Sequence, residues 1–124
     1  MLVLWGSCFA QWSGARLEND TVRMDFASSN GAGLAGLLNK QTGYAIPLDV
    51  AGEDSLWRIQ LWLDGRIQEV RPNTPPKLSI IDQSCLELSW KEIFGEFSAK
   101  VTATVQLEEN SGIANWNLAV EVSG

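Results

Sequence analysis

Phe97 to Leu107 reads FSAKVTATVQL: Phe97, Ala99, Val101, Ala103, Val105 and Leu107 alternate without a break against Ser98, Lys100, Thr102, Thr104 and Gln106. A helix turning every 3.6 residues would scatter those two sets around its surface, whereas a strand sorts them onto opposite faces. A strand with one consistently apolar face needs hydrogen-bonded neighbours at its edges and a second layer over that face. The run therefore restricts the chain to architectures in which antiparallel sheets cover one another.

The rest of the sequence repeats the pattern. Val22, Met24 and Phe26 share one face of a strand, with Thr21, Arg23 and Asp25 on the other. Ser28 to Gly33 is small and polar enough to reverse the chain, and Leu34, Ala35, Leu37 and Leu38 return before the turn Asn39-Lys40-Gln41-Thr42-Gly43. Tyr44 to Leu48 is expected as a short edge segment, because Pro47 cannot donate to a ladder. A polar loop over Asp49 to Ser55 leads to a strand over Leu56 to Leu63, with Trp57, Ile59, Leu61 and Leu63 on one face and Leu56, Arg58, Gln60 and Trp62 on the other. Asp64-Gly65 suits the positive φ angles of a type I′ turn, so Arg66 to Val70 should pair back on that strand. After a break at Asn73-Thr74-Pro75-Pro76 come strands at Lys77 to Ile81, around Leu86, Leu88 and Trp90, at Phe97 to Leu107, and through Ala114, Trp116, Leu118, Val120 and Val122. The expected fold is all-β, an antiparallel β-sandwich spanning residues 16–124.

Composition removes several functions from consideration. With 124 residues, 45% of them hydrophobic and 19% charged, the chain has the apolar content of a globular domain rather than of a disordered segment. A net charge of −6 with nine scattered cations argues against nucleic-acid binding. There is no His, which excludes every Ser/His or Cys/His triad and the commonest metal ligand. Cys8 and Cys85 are too few for a zinc site and read as two unpaired cysteines. No metal, cofactor or catalytic residue is expected.

Met1 to Ala10, MLVLWGSCFA, is apolar and uncharged, far shorter than the roughly 20 residues needed to cross a bilayer. An apolar run leading to small residues resembles the later part of a secretory signal, without its positively charged start. Residues 1–15 are therefore read as a signal-like or disordered segment, and the protein as secreted or cell-surface, extracellular or periplasmic, with no transmembrane segment. Gly6-Ser7-Cys8 is also compatible with a lipidated Cys8, although Trp5 is a poor residue for that motif.

Among candidate sites, Trp62 falls on the polar face of its strand beside Arg58 and Gln60, where an aromatic ring with polar neighbours would suit a sugar. The competing reading, preferred on the general burial of large aromatics, makes Trp62 core. Trp57, Trp90 and Trp116 sit among aliphatics on consistent inner faces and are expected in the core more firmly still; Trp12 is a secondary stacking candidate. The carboxylate neighbours Glu53-Asp54 and Glu108-Glu109 read as solvated loop tips rather than the opposed pair that glycosidic chemistry needs. Glu92 and Glu96 flank a bend at Phe94-Gly95, and Gly31-Ala32-Gly33 lacks the Lys and following helix of a phosphate cradle.

Taken together, LENDTVRMDF, then GLAGLLNKQTGY, then LWRIQL and the closing ANWNLAVEV resemble the N-terminal β-supersandwich, of the galactose-mutarotase-like kind, that precedes the catalytic domain in secreted glycoside hydrolases and polysaccharide lyases. The resemblance rests on Glu18-Asn19-Asp20 and Asn39-Lys40-Gln41-Thr42-Gly43 and runs in order from about Leu17 to Val122. It implies a non-catalytic accessory sandwich that braces a C-terminal catalytic domain of the same polypeptide and contacts polysaccharide. Mutarotase activity is not implied, because it uses His. The family domain is usually longer, so a supersandwich-like but incomplete sandwich is expected. A free-standing carbohydrate-binding or adhesive module is the alternative reading.

Overall fold

The computed structural model describes residues 12–46 and 55–124, and no helix occurs among them. Four strands, β1 (Ala15–Glu18), β2 (Val22–Phe26), β3 (Leu34–Asn39) and β4 (Ala45–Ile46), form a small sheet in the order β1-β2-β3-β4. A hairpin of β5 (Ile59–Leu63) and β6 (Arg66–Val70) stands apart from it. The long strands β7 (Lys77–Asp82), β8 (Cys85–Phe94), β9 (Phe97–Leu107) and β10 (Ala114–Ser123) form a second sheet in the order β10-β9-β8-β7. Every pairing between these strands is antiparallel.

The period-two pattern places the core. Leu17, Val22, Met24 and Phe26 of the small sheet share one hydrophobic cluster with Leu86, Leu88 and Trp90 of β8 and Val101, Ala103, Val105 and Leu107 of β9. Trp57 and Val70, flanking the hairpin, close it, with the rings of Trp57 and Trp90 meeting edge to face at 5.8 Å. Fully burying one such aliphatic side chain favours folding by about 1.5–3 kcal/mol. Trp90 also donates its indole N–H to the Asn30 carbonyl at 2.7 Å, so its polar atom is not orphaned.

The sequence motifs turn out to be joints. Asn19 Oδ1 accepts the N–H groups of Thr21 and Val22, holding the β1–β2 turn, while its Nδ2 donates to the carbonyls of Glu108 and Ser111 in the β9–β10 turn. Asn39 Oδ1 accepts from Gln41 and Thr42, shaping the β3–β4 turn that Gly43 completes at φ 76°. Lys40 then reaches back to the Asn19 carbonyl and the Glu18 carboxylate. One amide thus ties the two sheets together, and the two matching motifs are neighbours in space.

Four expectations need revision. β1 is an additional strand that begins at Ala15, and Trp12 and Ala15 pack against the core; residues 1–11 lie outside the described residues. The strand expected from Leu56 begins only at Ile59, because Trp57 turns into the core and Leu56 donates its N–H to the Gly31 carbonyl. Trp116 is not core: it is 47% exposed on an outermost strand. Trp62, for which burial was the preferred reading, is 70% exposed. In both cases the side chain keeps the strand face assigned to it, but among the described residues no second layer buries it there.

Candidate functional site

The β5–β6 hairpin carries the one sequence-derived candidate group. Asp64 (φ 51°) and Gly65 (φ 76°) both adopt the left-handed conformation of a type I′ turn, which matches the twist of the strands they connect. The register then follows, with Ile59 opposite Val70, Gln60 opposite Glu69 and Trp62 opposite Ile67. Ile59 and Leu61 turn toward the core, which leaves Gln60, Trp62, Ile67 and Glu69 on the outer face. Arg58 precedes the strand in the same phase, and its Nη1 lies 3.5 Å from Glu69 Oε1, the oxygen that Arg71 Nε also meets at 3.1 Å.

The hairpin therefore presents, on one face, an exposed indole and, further along, an amide, a carboxylate and two guanidinium groups. An indole face accepts the apolar face of a sugar ring, and the surrounding polar groups can address hydroxyls. Next to it, Leu63, Asp64, Arg66, Ile67 and Gln68 line an open concavity of about 600 Å3. Arg58, Gln60 and Trp62 are thus brought to one surface, with Arg58 partly engaged by Glu69.

The remaining candidates resolve into structural roles. Glu92 is buried, and its Oε2 accepts the backbone N–H groups of Asn73 and Thr74, each at 3.1 Å, and the Thr74 hydroxyl at 2.8 Å. It anchors the loop before β7, a position hard to foresee because the partners lie 18 and 19 residues away. Glu96, Glu108 and Glu109 are exposed at turns, and Glu53 and Asp54 lie outside the described residues. Ala32 takes φ 52° and bridges Ser55, and a side chain at Gly31 would collide with the Ser55 hydroxyl, so this glycine segment is a close chain crossing rather than a cradle. No group of three or more His, Cys, Asp or Glu side chains placed to hold a metal occurs among the described residues.

A polar cleft of about 450 Å3 runs between Arg16, Glu18, Asn19, Asp20, Lys40 and Gln83. Arg16, Glu18 and Lys40 are each ion-paired, Arg16 with Asp25 and Lys40 with Glu18. The Asp25 carboxylate, by hydrogen bond and charge, raises the Arg16 pKa, and the Lys40 ammonium holds the Glu18 carboxyl below its ordinary value. Cys85 is free and buried, and desolvation, followed by the nearby carboxylates of Asp82 and Glu87, pushes its thiol up, which keeps it an unreactive thiol. Cys8 lies outside the described residues.

An incomplete sandwich would leave an apolar sheet face exposed, but sequence reasoning did not say which strand would carry it. On β10, Trp116, Leu118, Val120 and Val122 are 45–51% exposed, although each stands opposite a fully buried residue of β9: Val105, Ala103, Val101 and Ala99. The hydrophobic face of the large sheet thus continues past the edge of the small sheet. Phe26 reaches across to meet Trp116 edge to face at 6.0 Å, and beyond that contact Leu118, Val120 and Val122 stay about half exposed. The signal was the alternation itself, which marked β10 as inward-facing without saying what it faced. No protein-family model, curated protein or solved structure matches the chain.

Proposed function

We propose that the chain is the non-catalytic β-sandwich domain of a secreted or cell-surface carbohydrate-active enzyme, a glycoside hydrolase, which it serves by bracing the catalytic domain of the same polypeptide. The supporting observation is the open apolar face of β10, continuous with the core and lined by Trp116, Leu118, Val120 and Val122. Contiguous exposed apolar surface of this kind marks a place where another folded unit packs. The opposite edge strand differs: β7 is interrupted by a register shift between Ile80 and Asp82 and carries Lys77 and Asp82, features that discourage edge pairing. β10 pairs with β9 over ten positions with no such shift and carries a single charged residue, Glu121.

The test is the full reading frame of the parent gene together with a fragment-pairing experiment. A downstream region carrying opposed acidic residues is expected, and when expressed separately it should co-purify with this chain; Leu118→Asp/Val120→Asp should abolish that association. A frame without such a region, or association indifferent to those substitutions, would remove the bracing role.

A second reading rests on the exposure of Trp62 beside Gln60 and Arg58. As a free-standing binding module, the chain would retain neutral glycans through that ring, and Trp62→Ala would abolish retention while the thermal transition stayed unchanged. Retention unaffected by the substitution would eliminate it.

A further inference from the structure

The outer face of the large sheet, opposite the core, gathers cations at one end. Lys91 of β8 stands directly opposite Lys100 of β9, which in turn stands opposite Glu121 of β10; one rung away, Lys77 of β7 faces Ser89. The ion pairs among the described residues engage Arg16, Arg23, Lys40, Arg58 and Arg71, and none involves Lys77, Lys91 or Lys100. These three ammonium groups are exposed and line one concavity of about 580 Å3 together with Glu121, Ser98 and Ser123. The hydroxyls of Ser98 and Ser123, two of the lining residues, lie 3.1 Å apart.

Two features set this cluster apart from an ordinary solvated sheet face. Like charges directly opposite one another destabilise an antiparallel pair, and Glu121, which stands opposite Lys100 but not Lys91, offsets only part of the repulsion in the Lys91–Lys100 rung. The cluster also occurs in a chain of net charge −6, whose other cations are mostly committed to carboxylates. Strands about 4.8 Å apart place Lys77, Lys91 and Lys100 over roughly 10 Å of surface, with hydroxyl donors and acceptors between and beside them.

We propose that this end of the outer sheet face, built from Lys77, Lys91 and Lys100 with the Ser98 and Ser123 hydroxyls, binds the anionic groups of an acidic polysaccharide. The lysines supply charge to uronate carboxylates or sulfate esters, and the serines address sugar hydroxyls. Glu121 limits the net charge, which disfavours a densely charged polyphosphate and suits a polymer with spaced anions. The inference rests on the reading of the protein as a polysaccharide-contacting module and specifies the glycan as acidic.

The experiment is affinity electrophoresis of the full chain in gels containing polygalacturonate, dextran sulfate, or a panel of neutral glycans, with single-stranded DNA as a competitor. The wild-type protein is expected to be retarded by an acidic glycan in a salt-dependent manner. Lys91→Gln/Lys100→Gln should weaken that retardation at least 10-fold while leaving neutral-glycan behaviour alone. Because the double substitution removes a like-charge rung, its thermal transition should be unchanged or higher. Retardation by polygalacturonate alone assigns a carboxylate ligand, and by dextran sulfate alone a sulfate ligand. Absence of retardation by both, retardation unaffected by the double variant, or equally lysine-dependent displacement by DNA would overturn the proposal. If neutral glycans still bind through Trp62, the acidic-glycan site alone falls; if no glycan of either kind binds, the polysaccharide reading falls with it.

Discussion

β9 and β10 are written in the same alphabet and lie side by side in one sheet, yet β9 buries every second side chain from Ala99 to Leu107 and β10 buries none. Ala99, Val101, Ala103 and Val105 lie under the small sheet, whereas their register partners Val122, Val120, Leu118 and Trp116 are about half open. The difference is coverage. The small sheet supplies Leu17, Met24 and Phe26, and Trp57 and Val70 add to them. These residues share one buried cluster with β8 and β9 that includes none of Trp116, Leu118, Val120 and Val122, although the Phe26 ring meets Trp116. Alternation specifies which way a side chain points, and the footprint of the opposing layer decides whether it is buried.

The sharpest way to break this comparison is to shorten the two tryptophans in turn. Trp90→Ala should cost about 3–5 kcal/mol, since it empties a buried site and removes the hydrogen bond to Asn30. Trp116→Ala should cost only about 1 kcal/mol, chiefly its edge contact with Phe26. Urea unfolding measures both, and comparable losses would mean that β10 is as covered as β9.

A smaller effect is expected at the joint linking the small sheet to the β9–β10 turn. Asn19→Ala leaves two backbone N–H groups and two carbonyls without their partner and should destabilise by about 1–3 kcal/mol. Hydrogen exchange should show the loss concentrated at Thr21, Val22 and the β9–β10 turn. An isosteric pair sharpens the contrast further: Val101→Thr buries a hydroxyl and should cost about 1–3 kcal/mol, whereas Val120→Thr should change stability by less than about 0.5 kcal/mol and improve solubility.

The smallest effect concerns thiols. Native Cys85 should resist alkylation at neutral pH, whereas Val120→Cys should label at the rate of a free thiol. Burial raises the folded Cys85 pKa, so the unfolded chain loses this proton first as pH rises. The contribution is therefore fully present below the unfolded value of about 8.5 and lost as pH climbs toward the folded one. A unit fall in pH from neutrality should leave it unchanged, which a pair of denaturation curves checks.

Much of the fold was legible because its causes are local. Asp64-Gly65 declared the hairpin through the φ angles such residues tolerate, and the runs at Val22–Phe26 and Phe97–Leu107 declared strands by their period. β1 was not legible, since four residues with one buried side chain show no period. At the candidate site, Arg58, Gln60 and Trp62 could be placed on one face from the sequence, but their exposure could not, because it depends on whether a second layer lies over that face. The buried carboxylate of Glu92 was invisible for a related reason: its three donors come from a loop on the far side of β7.

By itself, then, the sequence determined an all-β chain, the phase of its long strands and the turns between them, since periodicity and turn chemistry act within a few residues. The sequence also put Trp57 and Trp90 in the core; only the tertiary structure decided that Trp62 and Trp116 are surface. It also brought Lys77, Lys91 and Lys100 together and turned Asn19 into the tie between the sheets. Those outcomes depend on contacts between residues distant in the chain and on how far one layer extends over another, which no local pattern encodes.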